Sequence, residues 1–304
     1  MATPKVSICV PTYNQTLYLE KNLNSIAIQT FQDYEIIVSD DSSTDDVLNL
    51  VSRFETTFKD KLKYFRNNPP KGTPENWNES IRKAKGEYIK IMHHDEWFAD
   101  ENSLETFVST IELNNADFVF SAVNVLIEKE NKEWVLQPTI LEVNDILANP
   151  VNLLLGNILG APSSTIYQKD IGLVFDKTLK YVVDFEFYIR VIQKGKKVVY
   201  INSPIINSVS NASHNVSAEC NTPDIELCEY MNLYDKLKEL VQNKDKKKYI
   251  KLFLGLFMKY KIFSSSKLKA YYPKWNGKGY YLKIIYLAKI FKIKKKYIWF
   301  KFFV

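Results

Sequence analysis

The chain has 304 residues, of which 46% are hydrophobic and 25% charged, and a net charge of +6. These values describe a globular protein, with a core domain of about 230–250 residues plus an appendage, and exclude a disordered or fibrous chain. Three cysteines and three histidines are too few and too scattered for a disulfide framework or a zinc finger, so Cys9 reads as a small core residue and a reducing cytoplasm is the expected compartment.

The first residues lead straight into a strand, so no secretory leader is expected. Val6-Ser7-Ile8-Cys9-Val10 is a short apolar run ended by Pro11 and reads as a buried strand. Tyr18 to Gln29 places Leu19, Leu23, Ile26 and Ala27 at helical spacing. Glu35-Ile36-Ile37-Val38 is the next strand, closed by Ser39-Asp40-Asp41. Ser42-Ser43-Thr44-Asp45-Asp46 is rich in helix caps, and a helix is predicted from there to about Phe58. Leu62 to Phe65 reads as a third strand, Pro74 to Lys85 as a helix stopped by Gly86, and Glu87 to Met92 as a fourth strand. Strands alternating with helices imply parallel crossovers and a doubly wound sheet, whose ligands bind beyond the carboxyl ends of the strands.

Three loops fall at that edge: Pro11-Thr12-Tyr13-Asn14, Asp40-Asp41-Ser42, and His93-His94-Asp95-Glu96 followed by Trp97. No glycine-rich phosphate loop follows the first strand, which excludes a dinucleotide fingerprint and a Walker A motif. Phosphate must be held otherwise. Carboxylate and imidazole together suit a divalent metal such as Mn²⁺, with Asp95 as the leading ligand. By their residue types alone, Asp40 and Asp41 read equally well as helix caps, Tyr13 as packing, and the paired histidines as a polar strand end.

From Val6 to roughly Ser217 the chain resembles the family 2 glycosyltransferases, which have the nucleotide-sugar-binding GT-A fold. The carriers are the run Val6 to Asn14, Ser25-Ile26 through Gln29-Thr30-Phe31, Glu35 to Asp45, Asn78, and Ala84-Lys85-Gly86-Glu87-Tyr88-Ile89. The resemblance implies an α/β fold with a Rossmann-like, mostly parallel central sheet flanked by helices. It places the catalytic domain at 1–220, with a nucleotide-sugar half to about 98 and an acceptor half from about 99, and a helical basic extension at 221–304. It assigns Pro11, Thr12, Tyr13, Asn14, Asp40, Asp41, Asn78 and His94 to the nucleotide, with Asp41 accepting a hydrogen bond from the base. Its metal motif falls on His93-His94-Asp95, so Asp95 and His93, with His214, would hold Mn²⁺ or Mg²⁺. His93 replaces the family's first acid, and the site has one negative charge fewer. Asn157 to Ser164 matches the acceptor loop; Ala161, Pro162 and Ser163, with Trp97, would meet the acceptor. Asp184 matches the general base, although Val183 stands where the family has a glutamate; read by itself, Asp184 would be a helix cap.

After a helix from about Asp224 to Gln242 the composition changes. Residues 244–304 hold 18 lysines against the single acid Asp245, a net of +17 that leaves −11 on residues 1–243. No apolar run approaches the roughly 18 residues of a spanning helix. A helical projection puts Lys289, Lys292 and Lys296 on one side, and Tyr286, Leu287, Ile290, Phe291 and Ile293 largely on the other, while Lys283 and Lys294 break the pattern and leave the amphipathicity moderate. Basic amphipathic segments of this kind bind anionic membrane surfaces, and no nucleic-acid motif accompanies the charge. The expected protein is an inverting enzyme using a UDP-sugar donor and a glycan or lipid-linked acceptor, cytoplasmic and peripheral on the inner face of a bacterial plasma membrane. Donor sugar, acceptor and oligomeric state stay open. The rival readings are a degenerate nucleotide-sugar binder and a two-carboxylate glycoside hydrolase, which would leave Thr12 and Asp41 unexplained.

Overall fold

The computed structural model describes residues 3–127, 130–210 and 219–303, with no side chains described beyond residue 293. Two compact units emerge, Met1–Leu153 with Asn157–Ala218, and Leu154–Gly156 with Glu219–Val304.

The first unit is built on one sheet, of nine strands among the described residues. These are β1 (Val6–Thr12), β2 (Tyr34–Asp40), β3 (Leu62–Arg66), β4 (Tyr88–Ile91), β5 (Glu96–Phe98), β6 (Phe118–Ile127), β7 (Lys132–Leu136), β8 (Thr165–Gln168) and β9 (Val198–Val209). Their spatial order is β3-β2-β1-β4-β8-β6-β9-β5, with β7 paired to β6. β3, β2, β1 and β4 run parallel, as do β6 and β9, while β8, β5 and β7 pair antiparallel to their neighbours. The mostly parallel sheet with flanking helices expected from the sequence is present. Every residue of β1 and β2 is buried, as strands covered on both faces must be. Val6, Ile8, Val10, Ile36 and Val38 share one core with Leu19, Leu23 and Ile26 of α1 (Leu17–Ala27) and Val47, Leu50 and Val51 of α2 (Asp46–Ser52).

Three local expectations are corrected. β1 continues through Pro11 to Thr12 rather than stopping at the proline. Met92 N–H donates to Cys9 and Asp41 N–H to Thr12, so alternation turns Pro11 toward β4, where the ladder ends at Cys9–Ile91 and no N–H is needed. The helix expected to run to Phe58 is broken into α2 and a short α3 (Glu55–Phe58). The next helix, α4 (Glu75–Lys83), ends at the extended Ala84 and not at Gly86, where a glycine is required by a close approach: a Cβ there would lie 2.6 Å from the Ser7 nitrogen. The remaining helices of this unit are α5 (Ser103–Leu113), α6 (Ile140–Ala148) and α7 (Val183–Gln193).

The second unit is helical: α8 (Cys228–Leu237), α9 (Lys246–Lys259), α10 (Ser265–Tyr271) and α11 (Tyr280–Phe303). Its centre is aromatic, with Tyr234 packed 5.3 Å from Tyr249 and 5.0 Å from Phe253, between ring centroids. Tyr272 and Tyr281 hydroxyls both donate to Asp235. The helical projection is corrected here. α11 buries Tyr281, Ile284, Ile285 and Ala288, and exposes Leu282, Tyr286, Phe291 and Ile293 together with Lys283, Lys289 and Lys292. Apolar and basic side chains share the outward face instead of dividing the helix between them.

Candidate active site

The carboxyl ends of β1 and β2 meet in a hydrogen-bonded knot. Asp40 is fully buried, accepting from the Ser42 backbone N–H at 2.8 Å and the Tyr64 hydroxyl at 2.7 Å. Asp41 accepts from the Asn67 amide at 2.8 Å and from the backbone N–H groups of Lys71 and Gly72 at 3.0 and 2.7 Å. Neither caps α2, whose first turn is preceded by Asp45. The Asn67 amide also reaches Asn76, whose own amide donates to the Thr12 carbonyl. Thr12 thereby has its carbonyl doubly engaged, while its buried hydroxyl has no hydrogen-bond partner among the described residues, an orphan that calls for an explanation. Tyr13 is 58% exposed beside it. Asn14, at φ 52°, donates its backbone N–H to Ser42 and ties the first loop to the second.

The loop after β4 is held from below. The His93 backbone N–H donates to the Ser163 hydroxyl at 2.9 Å, its carbonyl accepts from Asn22, and its ring packs 4.5 Å from Trp77 on α4. His93 Nδ1 lies 3.2 Å from a carboxylate oxygen of the buried Glu96. Burial resists charging of this imidazole, but Glu96, with Asp95 and Asp184 further off, overcomes that and holds its pKa above the ordinary value. His93 Nε2 is buried without a hydrogen-bond partner among the described residues. Beneath the loop, Lys90 is fully buried in β4, its ammonium donating to the Ser163 carbonyl and lying 4.7 Å from the Phe107 ring centre. Desolvation lowers its pKa to about 7, against the opposing pull of Glu96.

Asp184 is the second residue of α7, inside the helix and not its cap. Its carboxylate accepts from the Asn157 amide at 2.8 Å and from the Phe185 backbone N–H at 3.0 Å. Burial pushes its pKa up to about 7, although the Phe185 and Asp184 N–H groups, His93 and Asn157 all favour the ionised form. That lies well above an ordinary aspartate and in the range that a general base at neutral pH would need.

Several expected site residues sit elsewhere. Asn78 is buried on α4, with its amide donating to the Phe175 carbonyl and its oxygen accepting the Phe175 N–H. With both ends committed to backbone, it braces the scaffold instead of meeting a nucleotide. Ser163 and Pro162 are buried, so Ser163 ties the loop after β4 to the Ala161–Ser164 turn and offers no surface to an acceptor; Ala161 is partly exposed. Trp97 is partly exposed, with the Lys21 ammonium of α1 5.0 Å from its ring centre. His94 and Asp95 are partly exposed in the loop. His214 lies outside the described residues. Sequence reasoning missed Asn67, Asn76, Trp77, Lys90 and the role of Asn157. The signal for Lys90 was visible as a lysine inside an apolar strand; the others sit in loops and helix starts whose partners are distant in sequence.

No cluster of three or more metal-ligating side chains occurs among the described residues. The loop offers two kinds of donor, the His93 Nε2 nitrogen and the Asp95 carboxylate. One carboxylate with one imidazole, the latter neutral when it ligates, is a donor set that Mn²⁺ accepts if a bound diphosphate completes its coordination, and it does not make a closed structural site.

The model of glycosyl transferase family 2 matches residues 7–171. A Campylobacter jejuni GalNAc(5)-diNAcBac-PP-undecaprenol beta-1,3-glucosyltransferase is 38% identical over 128 residues, which is 42% of this chain and 40% of that protein's own length. Among solved structures, Staphylococcus aureus TarS 1–349 in complex with UDP-GlcNAc superposes with a TM-score of 0.59 at 17% identity, covering 88% of this chain and 83% of that one. A mannosyltransferase of Pyrobaculum calidifontis in complex with GDP-Man and Mn²⁺ gives 0.56 at 17% identity, over 77% and 65% of the two chains. At that identity the two structures establish the shared GT-A fold.

Proposed function

The chain belongs to glycosyl transferase family 2, and from that premise we propose that it moves a sugar from a nucleotide-diphosphate donor, a UDP-sugar first among them, to a hydroxyl of a glycan or lipid-linked acceptor, inverting the anomeric carbon. The observation that carries the reading is Asp184: a clamped, partly buried carboxylate, with its pKa raised to about 7, within electrostatic reach of His93 on the loop after β4. The assembly of a glycan on a polyprenyl diphosphate is in keeping with the name of the Campylobacter relative.

In this reading the base of the nucleotide lies against Thr12 and Tyr13, and Asp41 accepts from its ring N–H. Asp41 has acceptor capacity left, since a carboxylate offers about four lone-pair sites and three are described as used. The Thr12 hydroxyl gains the partner it lacks. Asp184 takes the proton of the acceptor hydroxyl as that oxygen attacks the anomeric carbon, and the nucleoside diphosphate departs from the opposite face. A divalent cation on Asp95 and His93 would supply Lewis-acid neutralisation of the charge on the departing diphosphate. Glu96 would orient the His93 ring for this by engaging Nδ1, which leaves Nε2 as the nitrogen available to a ligand.

The second unit, in the same proposal, meets an anionic membrane surface. No helix among the described residues is long and apolar enough to cross a membrane. The outward face of α11 instead mixes Leu282, Tyr286, Phe291 and Ile293 with three lysines, so that positive charge for anionic headgroups and apolar side chains meet on one exposed surface. That would place the enzyme peripherally at the cytoplasmic leaflet.

The test is calorimetric titration of UDP with and without Mn²⁺, repeated for Asp95→Ala, alongside turnover of Asp184→Asn. Binding that strengthens with Mn²⁺ only when Asp95 is present, and a loss of about 10²–10⁴-fold in turnover on removing the base, support the reading. Absence of UDP binding overturns the donor, and wild-type turnover in Asp184→Asn overturns the mechanism.

A further inference from the structure

Asp184 does not stand alone on α7. The Asn157 side chain is itself immobilised: its oxygen accepts the Leu159 N–H at 3.1 Å, and its amide donates at 2.8 Å both to the Gly160 carbonyl and to Asp184 Oδ2. Gly160, at φ 81°, leaves no room for a side chain, since a Cβ would lie 2.9 Å from the Ser164 hydroxyl. Its carbonyl also accepts from the Tyr188 hydroxyl at 3.2 Å. Tyr188 lies four residues after Asp184, on the same face of α7. The 157–160 turn is therefore fastened to α7 at two points one helical turn apart, and one of those points is the carboxylate.

We propose that Asn157 is a positioning residue for the Asp184 carboxylate, which it locks in plane and joins to the turn that leads to the acceptor side. The proposal rests on Asp184 acting as the base. With Asn157 on Oδ2, and the Phe185 and Asp184 N–H groups on the same carboxylate, three of about four lone-pair sites are engaged and one is left to receive a hydroxyl proton. The amide donates to the ionised form and so opposes the burial that favours the neutral acid. The other groups acting on Asp184 are His93 from the loop after β4 and the backbone N–H groups of its own turn, with Tyr188 on the same helix. None of these links the carboxylate to the 157–160 turn.

A stability cycle on the full chain tests this without a substrate. The stability difference between Asp184→Asn and wild type, measured by denaturant unfolding from pH 4 to 9, reports where Asp184 ionises in the folded state. Expected is a midpoint near 7 with Asn157 intact. It should move up by about half a pH unit or more in the Asn157→Ala background, and further with Asn157→Asp, which keeps the shape and replaces a donor with a second acid. In parallel, UDP release from UDP-N-acetylglucosamine or UDP-glucose should fall on the order of 10–100-fold in Asn157→Ala, with donor KM unchanged. An unmoved midpoint in both backgrounds overturns the proposal. Were Asp184→Asn to keep its turnover while the midpoint still moved, the catalytic reading would fall and the clamp would remain as a structural fact.

Discussion

Lys90 occupies the middle of β4, where its neighbours in the strand are apolar and where Phe98 and Phe107 close over its ammonium. A buried ammonium is stabilised only by what it touches, here the Ser163 carbonyl, a more distant Ile91 carbonyl at 3.4 Å, and two ring faces. Desolvation therefore lets the folded protein shed this proton at about 7, whereas the unfolded chain keeps it to 10.5. Between those values the unfolded state binds more protons, so Lys90 makes stability rise with pH, by at most about 1.4 kcal/mol per unit. Lys90→Met should flatten that rise, and denaturant unfolding at pH 7, 8.5 and 10 measures it; parallel curves for the two proteins would refute the buried-charge account. The same residue joins β4 to Ser163, whose hydroxyl receives the His93 N–H. Ser163 thus links Lys90 to the loop that carries His93 and Asp95.

At the scale of elements, α4 braces the site. Asn76 faces β1 and the Asn67 amide, Trp77 packs on His93, and Asn78 joins the helix to the Phe175 backbone 97 residues away. Phe175 continues the chain of contacts, stacking on Phe187 of α7 at 4.3 Å. Asn78→Ala removes a donor and an acceptor from buried backbone and should cost about 1–3 kcal/mol of stability. UDP affinity should stay within about twofold, since the side chain is turned away from the Thr12–Asp41 knot. Chemical denaturation and calorimetry on the same preparation separate the two effects; a tenfold loss of UDP affinity in a folded variant would return Asn78 to the nucleotide site. Asn76→Ala is the informative partner, because its amide holds the Thr12 carbonyl.

At the scale of the whole molecule, the charge is divided between a body of −11 and a tail of +17. The second unit gathers Tyr249, Phe253 and Tyr281 around Tyr234, and α11 exposes Lys283, Lys289 and Lys292 with four apolar side chains. Co-sedimentation with vesicles of phosphatidylglycerol should exceed that with phosphatidylcholine, and fall steeply between 0.1 and 0.5 M salt as screening shortens to about 5 Å. Leu282→Ser with Tyr286→Ser should weaken binding at every salt concentration, since it removes insertion and leaves the charge. Equal binding to both lipids would refute an anionic surface as the partner.

The periodicity of residues 6–92 was enough to order four strands and their helices, because buried parallel strands and amphipathic crossovers leave a pattern local in sequence. Likewise, the Asp40-Asp41 and His93 to Asp95 loops could be assigned to one edge, because chain direction in a parallel sheet decides which loops face together. Which of their side chains reach that edge depends on pairings across long separations. Asn78 is claimed by Phe175 and Ser163 by His93 and Lys90, while Asp184 is met by Asn157 inside the first turn of α7. The outward face of α11 was likewise shifted from its helical projection, since the neighbouring helices of its unit choose which stripe to bury. Local pattern determined the elements and their order; competition among distant partners for a limited set of hydrogen bonds and buried surface, visible only in three dimensions, decided which side chains were left for chemistry.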